Sequence, residues 1–263
     1  MIQKIKTLEN TKPDKILFVH DIDFSVMPDM RVIPLFGANG AGKSTLLQGI
    51  KDEITRISEQ KECDKEIAAL DKTSEDYDWE VRFYQRHVKE SGIRFEHTGA
   101  AMALYTYKNG DDNFGTRQAK TEQEAFDPFF IKGRWDARSL SEGQSIMYSA
   151  YDLFRGIANP ELLQCEGGEC LILIDEFDSG LSIDNIDACM RQLKKALKTR
   201  NDIQVFFSFN NPRILKWFPH VFSMYDGNML EIHSDEDMLN EIRKNAKMLE
   251  KARGRRDKFK IYE

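Results

Sequence analysis

Gly37-Ala38-Asn39-Gly40-Ala41-Gly42-Lys43-Ser44-Thr45 is the stretch on which the reading of this chain turns. It fits G-x-x-x-x-G-K-[ST], the Walker A pattern. Arg31–Phe36 before it reads as a strand. Ser44–Ile57 after it reads as a helix, with Leu46, Leu47, Ile50, Ile54 and Ile57 near helical spacing. A chance glycine-rich turn would not need both flanks. In this context the glycines let backbone N–H groups turn inward around phosphate, and the helix start adds its positive end. Asn39, Gly40, Ala41, Gly42, Lys43, Ser44 and Thr45 are the expected phosphate cradle. Lys43 would bridge the β- and γ-phosphates, and Ser44 would bind Mg²⁺.

Leu171-Ile172-Leu173-Ile174-Asp175-Glu176 supplies the second piece. Its apolar run suits a strand buried on both faces of a parallel sheet. The end of that strand presents two carboxylates. Asp175 is expected to hold Mg²⁺, directly or through water, and Glu176 to act as general base.

Leu140-Ser141-Glu142-Gly143-Gln144 is the third piece, at the start of an expected helix over Glu142–Ala158. Alone it reads as a Ser N-cap followed by Glu. Placed between Walker A and the Asp-Glu strand, it resembles the ABC ATPase signature, usually Leu-Ser-Gly-Gly-Gln. The resemblance implies an α/β P-loop NTPase fold, an ABC-ATPase-like two-lobed domain with a mixed central sheet and a helical lobe. It implies a nucleotide-sandwich dimer, with an identical chain or a paralogue. Ser141, Gly143 and Gln144 would then meet the γ-phosphate held by the other subunit. Ile16–Phe24 and Val32–Phe36 resemble the strands leading into Walker A in that superfamily, and Val221 to Met229 its terminal strands.

Two further stretches resemble the stand-alone OLD-like/SMC-like branch of AAA family ATPases. Phe177-Asp178-Ser179-Gly180-Leu181-Ser182 resembles the D-loop region of the superfamily, and its Gly180-Leu181 pair is similar to the Asp-Glu-Pro-Glu-x-Gly-Leu-His pattern of this branch. Ser208-Phe209-Asn210-Asn211-Pro212-Arg213-Ile214-Leu215 is similar to its Ser-Thr-His-Ser-Pro-x-x-Leu. Pro212 and Leu215 set the register, which puts Asn210 where the family has its switch histidine; another register puts Phe209 there. Asn can hydrogen-bond phosphate but cannot take up a proton near neutral pH. Asn210 therefore counts with Glu176 and Lys43 among the catalytic candidates, and it implies slow or partner-stimulated turnover. The Q-loop glutamine is open between Gln85, Gln118 and Gln123. Lys12-Pro13 stands where an adenine-stacking aromatic is usual; Phe18 could stack, but it reads first as a core residue. ATP rather than GTP is thus implied by the resemblance alone.

Composition bounds the rest. The chain has 263 residues, 41% hydrophobic and 31% charged, with a net charge of −6, so it can build a core and has no global basic field. No apolar run suits a membrane span and no apolar core follows Met1, so the expectation is a cytoplasmic protein without direct membrane insertion. Four sparse cysteines are expected as thiols; Cys165 and Cys170 lack a second pair for zinc. Residues 51–80 hold eleven acids against five bases, which reads as a solvated helical excursion or a partner surface. Further elements are expected over Ile16–Val19 and Ile22–Val26 (strands), Tyr77–Val88 (helix), Ala100–Tyr107 (strand), Ile183–Lys198 (helix), Ile203–Phe209 (strand) and a hairpin around Asp226-Gly227-Asn228. From Arg243 to Lys260 there are nine Lys/Arg and two acids. The expected division is an ATPase domain over 1–235, with a helical insertion about 51–135, and a basic helix or tail over 236–263.

The functional expectation is Mg-dependent ATP hydrolysis, with ATP and Mg²⁺ as ligands. It would drive a separate effector protein in DNA repair or anti-phage defence, with nucleic acid as a further contact of the basic tail. The alternatives are the nucleotide-binding subunit of an ABC transporter, and a slow-turnover ATP-dependent scaffold.

Overall fold

The computed structural model describes residues 1–7, 21–37, 39–88, 91–97, 101–108, 154–155, 157–159, 168–176, 178, 181–225, 227–244 and 246–247; for 95–97, 101–108 and 168 it describes the backbone only. The strands are β1 (Ile2–Thr7), β2 (Ile22–Asp23), β3 (Val32–Phe36), β4 (Ile93–His97), β5 (Ala101–Lys108), β6 (Gly168–Asp175), β7 (Ile203–Ser208), β8 (His220–Ser223) and β9 (Met229–Glu231). The helices are α1 (Lys43–Ala69), α2 (Tyr77–Arg86) and α3 (Ile183–Thr199).

Continuous apolar runs put β3, β6 and β7 inside a six-stranded sheet of order β5-β6-β7-β3-β8-β9. All neighbours pair in parallel except β8 and β9, which form the expected hairpin. The period of two along each strand divides the core. Ile33, Leu35, Leu171, Leu173 and Phe206 pack with Leu46 and Ile50 of α1 and Ile2 and Ile5 of β1. Ile172, Ile174, Val205 and Phe207 pack with Ile186, Met190 and Leu193 of α3. Each such side chain, fully buried, contributes roughly 1.5–3 kcal/mol. With the P-loop leaving β3 for α1 and the carboxylates at the end of β6, two places along the sheet with β7 between, this is an α/β P-loop NTPase fold.

A second sheet, β2-β1-β4, is antiparallel and lies on the α1 side of this core. Gln204 fastens the two sheets together. This one polar residue in the interior of β7 is 1% exposed. Its Oε1 accepts from Ile2 N at 2.7 Å, and its Nε2 donates to Ile2 O at 3.0 Å and Met30 O at 2.9 Å. Gln204→Leu would strand three backbone groups in the interior. It is expected to cost about 1–3 kcal/mol, read as a lower thermal midpoint; an unchanged midpoint would remove the fastening role.

Several expectations are corrected. The P-loop helix does not stop near Ile57 but runs on to Ala69, so residues 51–69 continue α1. The stretch read as a helical insertion also contains β4, an unexpected strand of the second sheet, while β5 forms over Ala101–Lys108 where a strand was expected. Its acids are not all solvated: Glu53 is 1% exposed and takes Arg56 Nε at 2.8 Å and Arg94 Nη1 at 3.0 Å, joining α1 to β4. The strand expected over Ile22–Val26 gives way to a 3-10 turn at Phe24, because the Asp23 carboxylate accepts from Ser25 N and caps it. Cys170 is disulfide-bonded, its partner outside the described residues, whereas Cys63 and Cys189 are free thiols. Sparse cysteines exclude a disulfide scaffold but say nothing of a single pair. Burial pushes the Cys189 thiol up to about 12, so it is not a nucleophile.

α2 forms as expected and leaves Trp79 and Phe83 exposed, stacked at 5.5 Å. In the basic C-terminal segment, residues 235–244 and 246–247 are helical. Among the described residues no helix is long and apolar enough to cross a membrane. The expected strand at Ile16–Val19, most of the helix over Glu142–Ala158 and the tail beyond residue 247 lie outside the described residues.

Candidate active site

Strand ends and one helix start converge here. β3 delivers the glycine-rich loop, and Gly40 and Gly42 turn it with φ of +85° and +92°. Only glycine adopts this left-handed region without strain. Gly42 is the residue before α1, and its carbonyl accepts from Leu46 N at 2.9 Å. The first amides of α1 are left for an anion. Asn39 and Gly40 are exposed at the loop tip, and Ala41 is buried.

Lys43 opens α1 with its side chain inside the protein, 5% exposed. Its Nζ donates to Gly37 O at 2.6 Å and to Asn210 Oδ1 at 3.1 Å. Burial lowers its ammonium pKa, while the charges of Glu176, Asp175 and Asp178 oppose that shift. A cation held among carboxylates and short of water suits a polyanion. Ser44, next on the helix, donates from Oγ to Asp175 Oδ1 at 3.0 Å. Walker A and the Asp-Glu strand are thus joined directly. A hydroxyl and a carboxylate fit Mg²⁺, a hard cation that keeps waters and takes few protein oxygens beside substrate phosphates. Among the described residues no group of three or more His, Cys, Asp or Glu is arranged for a metal; such a site does not require one.

Glu176 follows β6 with φ of +52°, the only described non-glycine residue at positive φ. Such backbone strain gathers at functional sites. Its N–H donates to Ser208 Oγ at 2.8 Å, and that hydroxyl donates to Asp175 Oδ1 at 2.6 Å. Ser208, fully buried at the end of β7, therefore sets both carboxylate residues.

Beyond β7 the structure brings Asn210, not Phe209, to Lys43. Phe209 is buried beside the rings of Phe36 at 6.2 Å and Phe207 at 5.9 Å. The Asn211 side chain accepts from Arg213 N and starts a 3-10 helix over Pro212–Lys216. Arg213 Nη2 and Trp217 Nε1 each donate to Asp187 of α3 at 2.7 Å, which holds the Asp187 carboxyl down at about 2.

Asp178 and Ser208 carry no sequence expectation of their own. The signal for Ser208 is a hydroxyl at the end of an otherwise apolar strand. Asp178 is a third acid two residues past Glu176, and only the fold shows that it is buried. Gln85 sits on the exposed side of α2. Ser141, Gly143, Gln144, Thr116–Trp135 with Gln118 and Gln123, Phe18 and Lys12-Pro13 lie outside the described residues. Thr45 lies on the first turn of α1.

No family model and no curated protein matches the chain. Solved structures do align with it at low identity. A nucleotide-free ATP-binding cassette from an ABC transporter is 14% identical, covering 95% of this chain and 98% of that one, with a TM-score of 0.42. An ATP-binding cassette of an ABC transporter in its ADP conformation is 13% identical, covering 94% and 98%, with a TM-score of 0.43. The protein cbiO1 from Clostridium perfringens, part of the ABC transporter complex cbiONQ, is 14% identical, covering 76% and 75%, with a TM-score of 0.37. Superpositions this loose assign no family, and the fold stands on its own strand order and P-loop.

Proposed function

We propose that this chain is an ABC-type ATPase that binds Mg-ATP at the P-loop and hydrolyses it. The observation that carries the reading is the meeting of Lys43, Ser44 and Asp175 between β3 and β6. Lys43 and the amides of Asn39 to Thr45 bind and orient the phosphates. Ser44 and Asp175 hold Mg²⁺, which supplies charge neutralisation on the phosphate oxygens. Glu176 takes a proton from the attacking water. Water oxygen bonds to the γ-phosphorus, its bond to the β-γ bridging oxygen breaks, and ADP leaves.

Closure as a dimer belongs to the same proposal. Ser141, Gly143 and Gln144 of one subunit would complete the site of another, whether an identical chain or a paralogue. The Gly-Leu and Asn-Asn-Pro motifs support the OLD-like/SMC-like branch. In that reading a separate effector protein, in DNA repair or anti-phage defence, receives the motion, and the basic residues from Arg243 to Lys260 offer a contact for nucleic acid. A transporter subunit would use the same catalytic site, and purification together with a multispanning membrane partner would favour that assignment instead.

The contact of Asn210 with Lys43 supports slow turnover, since an amide beside the phosphate site cannot exchange a proton. Asn210→His is expected to raise steady-state turnover about ten-fold or more. Unchanged turnover would deprive the slow-hydrolysis reading of its basis.

A further inference from the structure

The carboxylate of Asp178 is 5% exposed and lies between two parts of the site. Its Oδ2 accepts from Asn210 N at 2.8 Å and also from Asn211 N. Its Oδ1 is buried with no hydrogen-bond partner among the described residues. Such a group costs free energy unless its contacts repay the burial. The contacts it does make hold consecutive amides of one turn, that of Asn210, whose side chain meets Lys43, and that of the residue after it.

The remainder of that turn is secured separately. The Asn211 side chain caps Arg213 N, and Asp187 holds Arg213 and Trp217 from α3. The segment from Asn211 to Trp217 therefore has its own anchors. Asn210 precedes them, and among the described residues it is held by Asp178 through its amide and meets Lys43 through its side chain.

We propose that Asp178 is a positioning residue: by gripping the Asn210 and Asn211 amides it sets the Asn210 side chain against Lys43. It ties the segment after the Asp-Glu strand to the segment after β7. The catalytic consequence rests on the ATPase reading above; the grip itself does not. Burial raises the Asp178 pKa, and the two amides oppose that shift.

The test compares Asp178→Ala, which removes the acceptor, with Asp178→Asn, which keeps one oxygen in place and removes the charge. Amide exchange in the full-length protein is read at Asn210 and Asn211. These amides are expected to exchange at least about ten-fold faster in Asp178→Ala and near the wild-type rate in Asp178→Asn, with β7 unchanged. Turnover should fall about ten-fold or more in Asp178→Ala, with ATP affinity within about two-fold and recovery in Asp178→Asn. In an Asn210→Ala background, Asp178→Ala should cost less than about two-fold, because both act through one group. Unchanged exchange in a folded Asp178→Ala protein would overturn the grip. Equal loss in both backgrounds, or an Asp178→Asn protein as poor as Asp178→Ala, would overturn the positioning role. A wild-type protein that hydrolyses no nucleotide would sink the ATPase reading, while the exchange arm still decides the grip.

Discussion

Glu176→Gln is expected to bind Mg-ATP with near-wild-type affinity and to lose about 10²–10⁴-fold in turnover. The substitution keeps size and shape but replaces a carboxylate base with an amide too weakly basic to take up a proton. Its backbone N–H remains bonded to Ser208 Oγ, so the end of β6 should hold its place. The phosphate contacts proposed for Lys43 and the loop amides do not involve the Glu176 side chain. Binding and chemistry should therefore separate cleanly, seen by comparing a nucleotide titration with steady-state phosphate release. Hydrolysis near the wild-type rate would overturn the assignment of the base.

Lys43→Ala is expected to weaken ATP binding by about 100-fold. A hydrogen bond to a charged group is worth about 1.5–3 kcal/mol, and the γ- and β-phosphates would lose that partner. Lys43 is 5% exposed and in the field of Glu176, Asp175 and Asp178. Removing it leaves those carboxylates facing the phosphates without an intervening cation, which adds repulsion to the lost contact. Isothermal titration reads the affinity, and the thermal midpoint without nucleotide checks that the fold survives. Unaltered ATP affinity in a folded Lys43→Ala protein would mean that nucleotide binds elsewhere.

What was legible in the chain follows from the range of the interactions. The loop from Gly37 to Thr45 and the strand from Leu171 to Glu176 are local patterns. Glycines at a turn and a doubly buried strand need only their neighbours, and both stand where the residues put them. β4 escapes notice because Ile93–His97 is short, mixed in polarity and made a strand by β1, some ninety residues away. The length of α1 escapes because its second half is mostly polar and buries only Cys63, which resembles an excursion as much as a continued helix. Glu53 looks like one surface acid among many until Arg94 arrives from β4. The groups that fix the site's geometry were the hardest to read. Ser208 links Asp175 to Glu176 across strands, Asp178 reaches the turn after β7, and Gln204 joins two sheets. Each depends on residues brought together by the fold, which no spacing rule records.

The central claim is a nucleotide sandwich, and the mass of Glu176→Gln in solution, with and without Mg-ATP, tests it most directly. The account predicts a monomer without nucleotide and a dimer with Mg-ATP, held because hydrolysis cannot reopen it. A monomer in both states, with ATP shown to be bound, would contradict it.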